Sequence, residues 1–250
     1  MRLIPALAIL SASLLYASQS HALVGLSAGV GSWQQNPSGD FKGGDDSDRL
    51  DIEDDLNIGA DSSMFYWARF KHVVPVIPNL KFQHTPISLD GQGTAVYVFG
   101  GTPYAENVKS KLELNQTDFI LFYSPLNNIV ELDIGLNIKL LDGLAEVEGQ
   151  TSGERESVTF SGPVPMLYGN VQFNLPMTGL YAGAEGSAVG YAGHSLVDLS
   201  ARVGYRFGLG VGGVAVEGGY RSQRLKLDDF DGVDADLRIE GPWFGVAADF

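Results

Sequence analysis

The chain has 250 residues, enough for one large all-β domain or two small ones. It contains no cysteine, which excludes a disulfide framework and a thiolate metal site or nucleophile. Its formal charge of −14, from 30 acidic and 16 basic residues, argues against nucleic acid as a partner, because phosphate binding requires clustered cations.

The N-terminal segment, residues 1–22, has the layout of a secretory signal peptide. Arg2 is followed by an apolar run at 3–15, and small residues precede a predicted cleavage site after Ala22. The apolar run is too short to span a bilayer comfortably as a helix. Loss of Arg2 would change the formal charge from −14 to −15. We therefore predict a cleaved signal peptide at 1–22 and a single domain at 23–250.

The mature chain alternates apolar and polar residues with a period of two over long stretches. From Val130 to Leu140, six apolar residues form one face, and Glu131, Asp133 and Lys139 lie on the other. This pattern predicts a β-strand. It is longer than the roughly 5–6 residues typical of globular proteins and close to the roughly 9–11 that a tilted membrane-spanning strand needs.

Ten such strands are predicted, and the connections between them alternate in kind. The predicted strands are 23–33, 63–73, 80–89, 117–125, 129–141, 163–174, 179–190, 196–207, 211–224 and 237–250. Short turns rich in Pro, Asn and Gly alternate with long polar loops at 34–62, 90–116, 142–161, 190–195 and 227–236. Short turns on one side and long loops on the other are typical of an outer-membrane barrel.

A sheet in hydrocarbon must close on itself, so that every backbone N–H and C=O group is paired within the protein. We therefore predict an all-β fold: a closed antiparallel up-and-down transmembrane β-barrel of ten strands. Eight strands is the alternative, because 63–73 and 163–174 alternate least regularly.

The last ten residues, GPWFGVAADF, alternate and end on an aromatic residue. With Trp243 and Phe244 upstream and Phe250 last, the chain resembles the small, glycine-rich outer-membrane β-barrel proteins of Gram-negative bacteria. The resemblance implies that Trp243, Phe244 and Phe250 form a signal that the barrel-assembly machinery recognises. It also implies a place in the cell outer membrane, among lipid and lipopolysaccharide. We expect the last strand to pair with the first, and the protein to be a monomer.

The polar faces of the predicted strands are assigned to the lumen. Six inward acids and seven inward bases leave the interior nearly neutral, which predicts paired side chains that fill it, with a narrow solute pathway as the alternative. The predicted interior network comprises Asp118, Glu131, Asp133, Lys139, Glu185, Asp198, Arg202, Arg206, Glu217 and Arg221, with Arg69, Lys71 and Lys81 as further inward bases.

Aromatic residues lie near the predicted strand ends, where interfacial girdles of outer-membrane barrels occur. This position predicts a girdle that includes Trp33, Phe65, Tyr66, Trp67, Tyr123, Tyr168, Tyr205, Phe207, Tyr220, Trp243 and Phe244.

Two predicted outer loops are strongly acidic. Residues 40–61 carry nine acids and two bases, and residues 226–240 carry six acids and two bases. Carboxylates are ligands that Mg²⁺ and Ca²⁺ prefer, and we hypothesise that these loops bridge through such cations to lipopolysaccharide phosphates. Solvated acidic loops are the alternative. The weak metal candidates are Asp45, Asp46, Asp48, Asp229 and Asp231.

No catalytic constellation is evident in the sequence. His194 beside Ser195 is the only suggestion of a nucleophile and a base, and adjacent strand residues point to opposite faces. We predict no enzymatic activity, no catalytic residue and no cofactor. The expected function is a structural or narrow, porin-like passage role. A surface-binding module that uses the acidic loops is second, and a lipid-modifying or proteolytic enzyme is third.

Overall fold

The computed structural model describes residues 24–43, 47–99, 101–209, 212–230 and 233–250. No helix long and apolar enough to cross a bilayer is found in these ranges. The strands are β1 Val24–Gly43, β2 Leu50–Asp51, β3 Asp61–His72, β4 Asn79–Thr85, β5 Ser88–Phe99, β6 Thr102–Asn127, β7 Val130–Gly149, β8 Arg155–Asn174, β9 Leu180–Tyr191, β10 His194–Gly208, β11 Gly213–Phe230 and β12 Val233–Asp249.

The strands close into an antiparallel ring. Its order is β1-β3-β4-β6-β7-β8-β9-β10-β11-β12, and β12 pairs back onto β1 from Ser27 opposite Asp249 to Gly43 opposite Val233. The short β2 pairs with β1, and β5 pairs with β6, beyond the ring. The predicted ten-stranded barrel is therefore confirmed, including its closure by the C-terminal strand.

A belt of exposed apolar side chains surrounds the ring. Its members include Leu136, Val203 and Phe244, and Leu136 is 60% exposed. Proteins in water rarely expose an apolar surface of this extent, whereas a transmembrane barrel presents such a band to lipid. Both termini of the described ring lie at the end with the short turns, which faces the periplasm in outer-membrane barrels.

The inward and outward faces of β7 exchange polarity partway along the strand. Up to Leu140 the outward residues are apolar and the inward residues, such as Asn137 and Lys139, are polar and buried. From Leu141 onward the inward residues are apolar, and outward positions carry acids such as Glu146. Because the side-chain period is two, the exchange shows that the surroundings outside the strand change from lipid to water at this level.

The same exchange occurs on β6, β11 and β12. On β6, for example, the inward residue changes from Leu114 to Gln116 as the chain enters the belt, and the outward residue changes from Glu113 to Phe119. We call the part of the barrel beyond the belt the head. The head has a buried apolar core whose members include Ile87, Leu89, Val108, Met166 and Leu237.

The prediction that these segments are long polar loops is therefore wrong, because most of them form β-strands. Most of 90–116 and 142–161 forms strand, as do the beginning of 34–62 and most of 227–236. Their alternate residues are apolar and point into the head, so water reaches only their polar face. Pro86 interrupts the predicted strand 80–89, and pairing resumes at Ile87, whose backbone exchanges two hydrogen bonds with Leu114 at 2.9 and 3.1 Å.

One connection folds into the head instead of extending into solvent. We call residues 50–58, between β1 and β3, the closing segment. Four of its side chains, Leu50, Ile52, Leu56 and Ile58, join the apolar core. Gly91 on β5 permits this approach, because a Cβ atom there would lie 2.3 Å from the carbonyl oxygen of Leu56.

The wall of the head is unpaired along one edge of β8. The β7–β8 ladder continues to Glu148 opposite Arg155, but the β8–β9 ladder ends at Leu167 opposite Ala188. The next residues of β8 with the same parity as Leu167 are Pro165 and Pro163. Proline has no N–H group to donate, so pairing with β9 cannot continue past them.

Leu136→Arg tests the position of the lipid belt. An arginine at this outward position in the belt should cost about 2–4 kcal/mol of unfolding free energy, measured by urea denaturation in lipid vesicles. The matched control is Asp142→Arg, at an exposed outward position of the same strand in the head, which should change stability by about 0.5 kcal/mol or less. Equal effects of the two substitutions would contradict the assigned level of the membrane surface.

Candidate functional site in the barrel interior

The ring encloses a cavity of about 630 Å³ within the lipid belt. Residues at the short-turn ends of the strands line its mouth, among them Ser27, Asn127, Gly213 and Phe250. The cavity therefore opens at the end where the termini of the described ring lie. The inward residues of the predicted polar network are distributed through it in layers.

The layer nearest the mouth joins β3 to β7. Arg69 contacts both Glu131, at 2.6 Å from Nη2 to Oε1, and Asp133. The Lys71 ammonium lies 2.9 Å from the same Glu131 oxygen, and the Ser124 hydroxyl donates to Asp133 at 2.5 Å. Two cations therefore share two carboxylates, which offsets the cost of placing these charges away from bulk water.

The middle layer centres on Glu185. Its carboxylate contacts Lys81 from β4 and Arg202 from β10, the latter at 3.2 Å. The other guanidinium nitrogen of Arg202 donates to the side-chain oxygens of Asn170, at 2.8 Å, and Gln172, at 3.0 Å. This layer ties four strands together across the lumen.

The deepest charged layer surrounds Lys139, which is completely buried. Its ammonium contacts Asp118 and Asp198 at 3.0 Å each and donates to Gln116 Oε1 at 2.9 Å. Arg221 binds Asp198 through two nitrogens, at 2.8 and 2.6 Å. Paired geometry of this kind gives Arg a fixed orientation as well as a charge partner.

Two predicted residues lie apart from these layers. Arg206 pairs with Asp249 at 2.8 Å at the mouth, and its guanidinium lies 5.2 Å from the centroid of the Tyr181 ring. Glu217 accepts a hydrogen bond of 2.6 Å from the Tyr181 hydroxyl. All ten residues of the predicted network therefore point inward, but they form separate pairs and layers.

A layer of neutral residues closes the cavity at the head. Gln116 and Gln223, from strands on different sides of the ring, exchange two hydrogen bonds of 2.9 Å across the lumen. Trp33 lies over Arg221, with 4.8 Å from the guanidinium carbon to the ring centroid, and Gln35 donates to the carbonyl oxygen of Pro86 at 2.9 Å. Trp33, Gln35 and Gln116 are all 0% exposed, so this layer seals the cavity from the head.

Several aromatic residues predicted for the girdle lie inside the barrel. Phe65, Trp67 and Trp243 line the cavity, Trp33 lies in the sealing layer, and Tyr168 is buried against Phe122. Period two places Phe65 and Trp67 on the face of β3 that carries Arg69, and the register places Trp243 opposite Gly219, on the face of β11 that carries Arg221. Parity and register, rather than position near a strand end, therefore determine where these side chains point. Outward aromatics such as Tyr66, Tyr205 and Phe244 remain on the lipid side.

Sequence reasoning missed the neutral members of the interior. Gln116, Asn137, Asn170, Gln172 and Gln223 complete the layers described above. Gln116, Asn137 and Gln223 have the same parity as Asp118, Lys139 and Arg221 on their strands, which was the available signal, whereas the predicted strand 163–174 has no charged residue to mark Asn170 and Gln172. Gln116 was assigned to a loop, and the others were passed over because only charged side chains were considered.

Of the five acidic metal candidates, only Asp48 has a described side chain. Asp48, two residues before the closing segment, is tied to β5, because its carboxylate accepts from the Val98 N–H at 2.7 Å. Asp45, Asp46 and Asp231 lie outside the described residues, and only the backbone of Asp229 is described. Within the described ranges no group of three or more His, Asp or Glu side chains is placed to hold a metal ion.

Several acids of the two predicted loops contact arginine in the head. Arg224 on β11 donates to Asp236 on β12 at 2.8 Å, Arg238 contacts Glu240 on the same strand at 2.7 Å, and Arg49 contacts Asp40. The hydrogen bond from Arg224 lowers the pKa of Asp236 below its usual value. These three acids are therefore held in ion pairs.

The three described histidines lie at different levels of the barrel. His72 lies at the short turn between β3 and β4, with Nε2 3.2 Å from the carbonyl oxygen of Pro78. His84 faces outward in the belt against Tyr66. His194 begins β10 in the head, and its Nδ1 accepts from the Asp228 N–H at 3.1 Å.

Comparison with solved structures bears on the fold alone. No protein-family model matches the chain, and no curated protein matches it significantly in sequence. The structure of the outer membrane protease OmpT from Escherichia coli covers 93% of this chain and 98% of its own, with 12% identity and a TM-score of 0.50. The translocator domain of the autotransporter NalP from Neisseria meningitidis covers 97% and 95%, with 15% identity and a TM-score of 0.45. At this identity the likeness is one of fold, and the chain has the fold of an outer-membrane β-barrel protein.

Lys139→Met tests the deepest layer. Removing this buried cation leaves Asp118 without a charge partner and Asp198 with Arg221 alone. Breaking a buried ion pair from one side should cost about 3–5 kcal/mol of unfolding free energy, measured by urea denaturation in lipid vesicles. Lys109→Met, which removes an exposed cation on β6 in the head, should change it by about 0.5 kcal/mol or less. A Lys139 variant as stable as this control would show that the layer does not stabilise the barrel.

Proposed function

We propose that the protein is a structural barrel of the outer membrane, sealed against passage between the cell surface and the periplasm. In this proposal the belt lies in lipid, the cavity opens to the periplasm, and the head stands at the cell surface as a rigid β-structured domain. The proposal assigns the protein no catalytic role.

The observation that supports sealing is the apolar core of the head directly above the sealing layer. A water-filled pathway needs polar walls along its whole length, and here the inward face changes from charged to apolar at the membrane surface. The closing segment adds four further apolar side chains to that core. Small barrels of about eight strands are also just wide enough for side chains to fill, whereas open porins use about 16–18 strands.

Two observations support a place in the outer membrane. The apolar belt has the character of a lipid-facing band, and the ring is closed so that its backbone groups in the belt are paired. A periplasmic mouth follows from the side on which the short turns lie. Export through a cleaved signal peptide remains a prediction, because residues 1–22 lie outside the described residues.

Conductance across a planar lipid bilayer tests the proposed seal. The unchanged protein should give no discrete current steps. A variant with Leu50→Ser, Ile52→Ser, Leu56→Ser and Ile58→Ser, combined with Gln116→Ala and Gln223→Ala, should give steps, because it admits water into the head and removes the hydrogen-bonded pair of the sealing layer. The matched control, Glu53→Ser with Asp54→Ser, changes exposed side chains of the same segment and should stay silent. Steps in the unchanged protein would refute the seal and favour a narrow passage.

We also propose that Phe250 acts in assembly by the outer-membrane barrel-assembly machinery. Its backbone exchanges hydrogen bonds of 2.7 and 3.2 Å with Leu26, while its side chain is 72% exposed and packs little against the barrel. The phenyl group of Phe250 therefore contributes little to the stability of the assembled barrel.

Phe250→Ala separates assembly from stability, because it keeps the backbone hydrogen bonds with Leu26. The amount of protein in the outer membrane should fall severalfold, while the unfolding free energy of the assembled fraction should change by about 0.5 kcal/mol or less. Quantitative immunoblotting of outer-membrane fractions and urea denaturation measure the two effects. Phe207→Ala, another exposed aromatic in the belt, is the control and should leave the assembled amount unchanged. An equal loss in both variants would remove the special role of the terminal residue.

A further inference from the structure

We propose that the periplasm-facing cavity is a binding site for an uncharged, hydroxyl-rich molecule the size of a mono- or disaccharide. The inference rests on the proposed function, since the seal at the head makes the interior a pocket instead of a pore. It is carried by the charge balance of the wall, by an unused buried acceptor and by aromatic rings in the cavity.

The charges of the cavity wall are already used within the wall. Six basic side chains line the cavity, and each has a carboxylate partner in the barrel. Six acidic side chains line it as well; five of them pair with cations, and Glu217 accepts from Tyr181. An anionic ligand would find no unpaired cation in this confined space, which is costly. The wall therefore selects against negative charge, and only Glu217 lacks a cationic partner.

One buried hydrogen-bond acceptor in the cavity wall, the side-chain oxygen of Asn137, nevertheless has no partner among the described residues. Asn137 is 2% exposed, lines the cavity and donates to Asp118 at 2.6 Å and Ser187 at 3.1 Å. These two donations fix the orientation of its amide, and its oxygen has no hydrogen-bond partner among the described residues. A buried acceptor of this kind is costly when unpaired, and a ligand hydroxyl is a suitable donor.

Aromatic faces supply the apolar part of the wall. The Trp67 ring is held against the backbone of Gly29, where a Cβ atom would lie 2.7 Å from the ring, and the Lys81 ammonium lies over one face, 5.6 Å from the ring centroid. Phe65 packs edge-on against Trp243, with 5.6 Å between ring centroids. The faces of such rings carry partial negative charge that complements C–H groups, and a sugar presents C–H faces together with hydroxyl edges. An apolar ligand would instead leave the polar wall desolvated.

The size of the cavity agrees with this class of ligand. Its volume of about 630 Å³ lies within the roughly 300–1,000 Å³ of small-molecule sites. The mouth at the short-turn end makes periplasmic solutes the accessible source.

Tryptophan fluorescence tests the proposal directly. The chain has three tryptophans; Trp67 and Trp243 line the cavity and Trp33 lies in the sealing layer, so each reports on the interior. Purified protein in a zwitterionic, sugar-free detergent is titrated with glucose and maltose. We expect a saturable change in emission with a Kd of about 1 mM or below for at least one of them. Glucose 6-phosphate, which carries negative charge, should bind at least about tenfold more weakly.

Variants locate the binding. Trp67→Leu should weaken sugar binding at least about tenfold while two reporters remain. Tyr66→Leu, its outward neighbour on β3, should not alter the affinity. A folding control is the migration of each variant on a denaturing gel: a folded variant should keep the difference in migration between heated and unheated samples that the unchanged protein shows. If Trp67→Leu does not fold, Asn137→Leu replaces it with the same expected loss.

Three outcomes would overturn the proposal: no saturable change with either sugar, equal binding of the charged and uncharged probes, or equal affinity in the Trp67 and Tyr66 variants. A silent conductance trace together with absent sugar binding would refute only this inference. Current steps in the unchanged protein would refute the sealed barrel itself, whatever the sugars do.

Discussion

The pairing of every backbone amide within the lipid belt is the constraint on which the rest of this structure depends. Hydrocarbon offers no hydrogen-bond partners, so a sheet in the membrane has to close on itself. Here closure joins the first and last strands, with Trp33 directly opposite Trp243. Once the ring is closed, each strand has one inward and one outward face along its whole length, and the chemistry of both faces follows from what lies outside.

Two different surroundings act on the same strands and produce two different interiors. In the belt the outward face meets lipid and is apolar, and the inward face carries the charged layers around an accessible cavity. In the head the outward face meets water, and the apolar residues turn inward to form a core as in a soluble protein. The sealing layer of Gln116 and Gln223 lies where these two interiors meet, which is why it consists of neutral polar residues.

The sequence predicted the barrel well and the head poorly. Period-two alternation, short turns and the terminal Phe250 sufficed for ten strands, their closure and the inward direction of the charged residues. The head was mistaken for loops because acidic residues such as Glu146 and Glu148 dominate its composition, although Ala145 and Val147 between them keep the strand parity. Which inward charges pair could not be read from the sequence, because partners such as Lys81 and Glu185 are far apart in the chain and meet only across the closed ring. The closing segment was unpredictable for the same reason, since its burial depends on the close approach to Gly91.

The unpaired edge of β8 gives the two halves of the barrel different mechanical characters. In the belt every strand is held by ladders on both sides, whereas in the head residues 155–166 are held by a ladder only on the β7 side. Cohesion at that border comes from the packing of Val158, Phe160 and Val164 on the core. Local opening starts where backbone hydrogen bonds are fewest and most exposed. The head can therefore loosen along this seam without disturbing the ring in the belt, so that the head and the belt behave as two cooperative units of one continuous sheet.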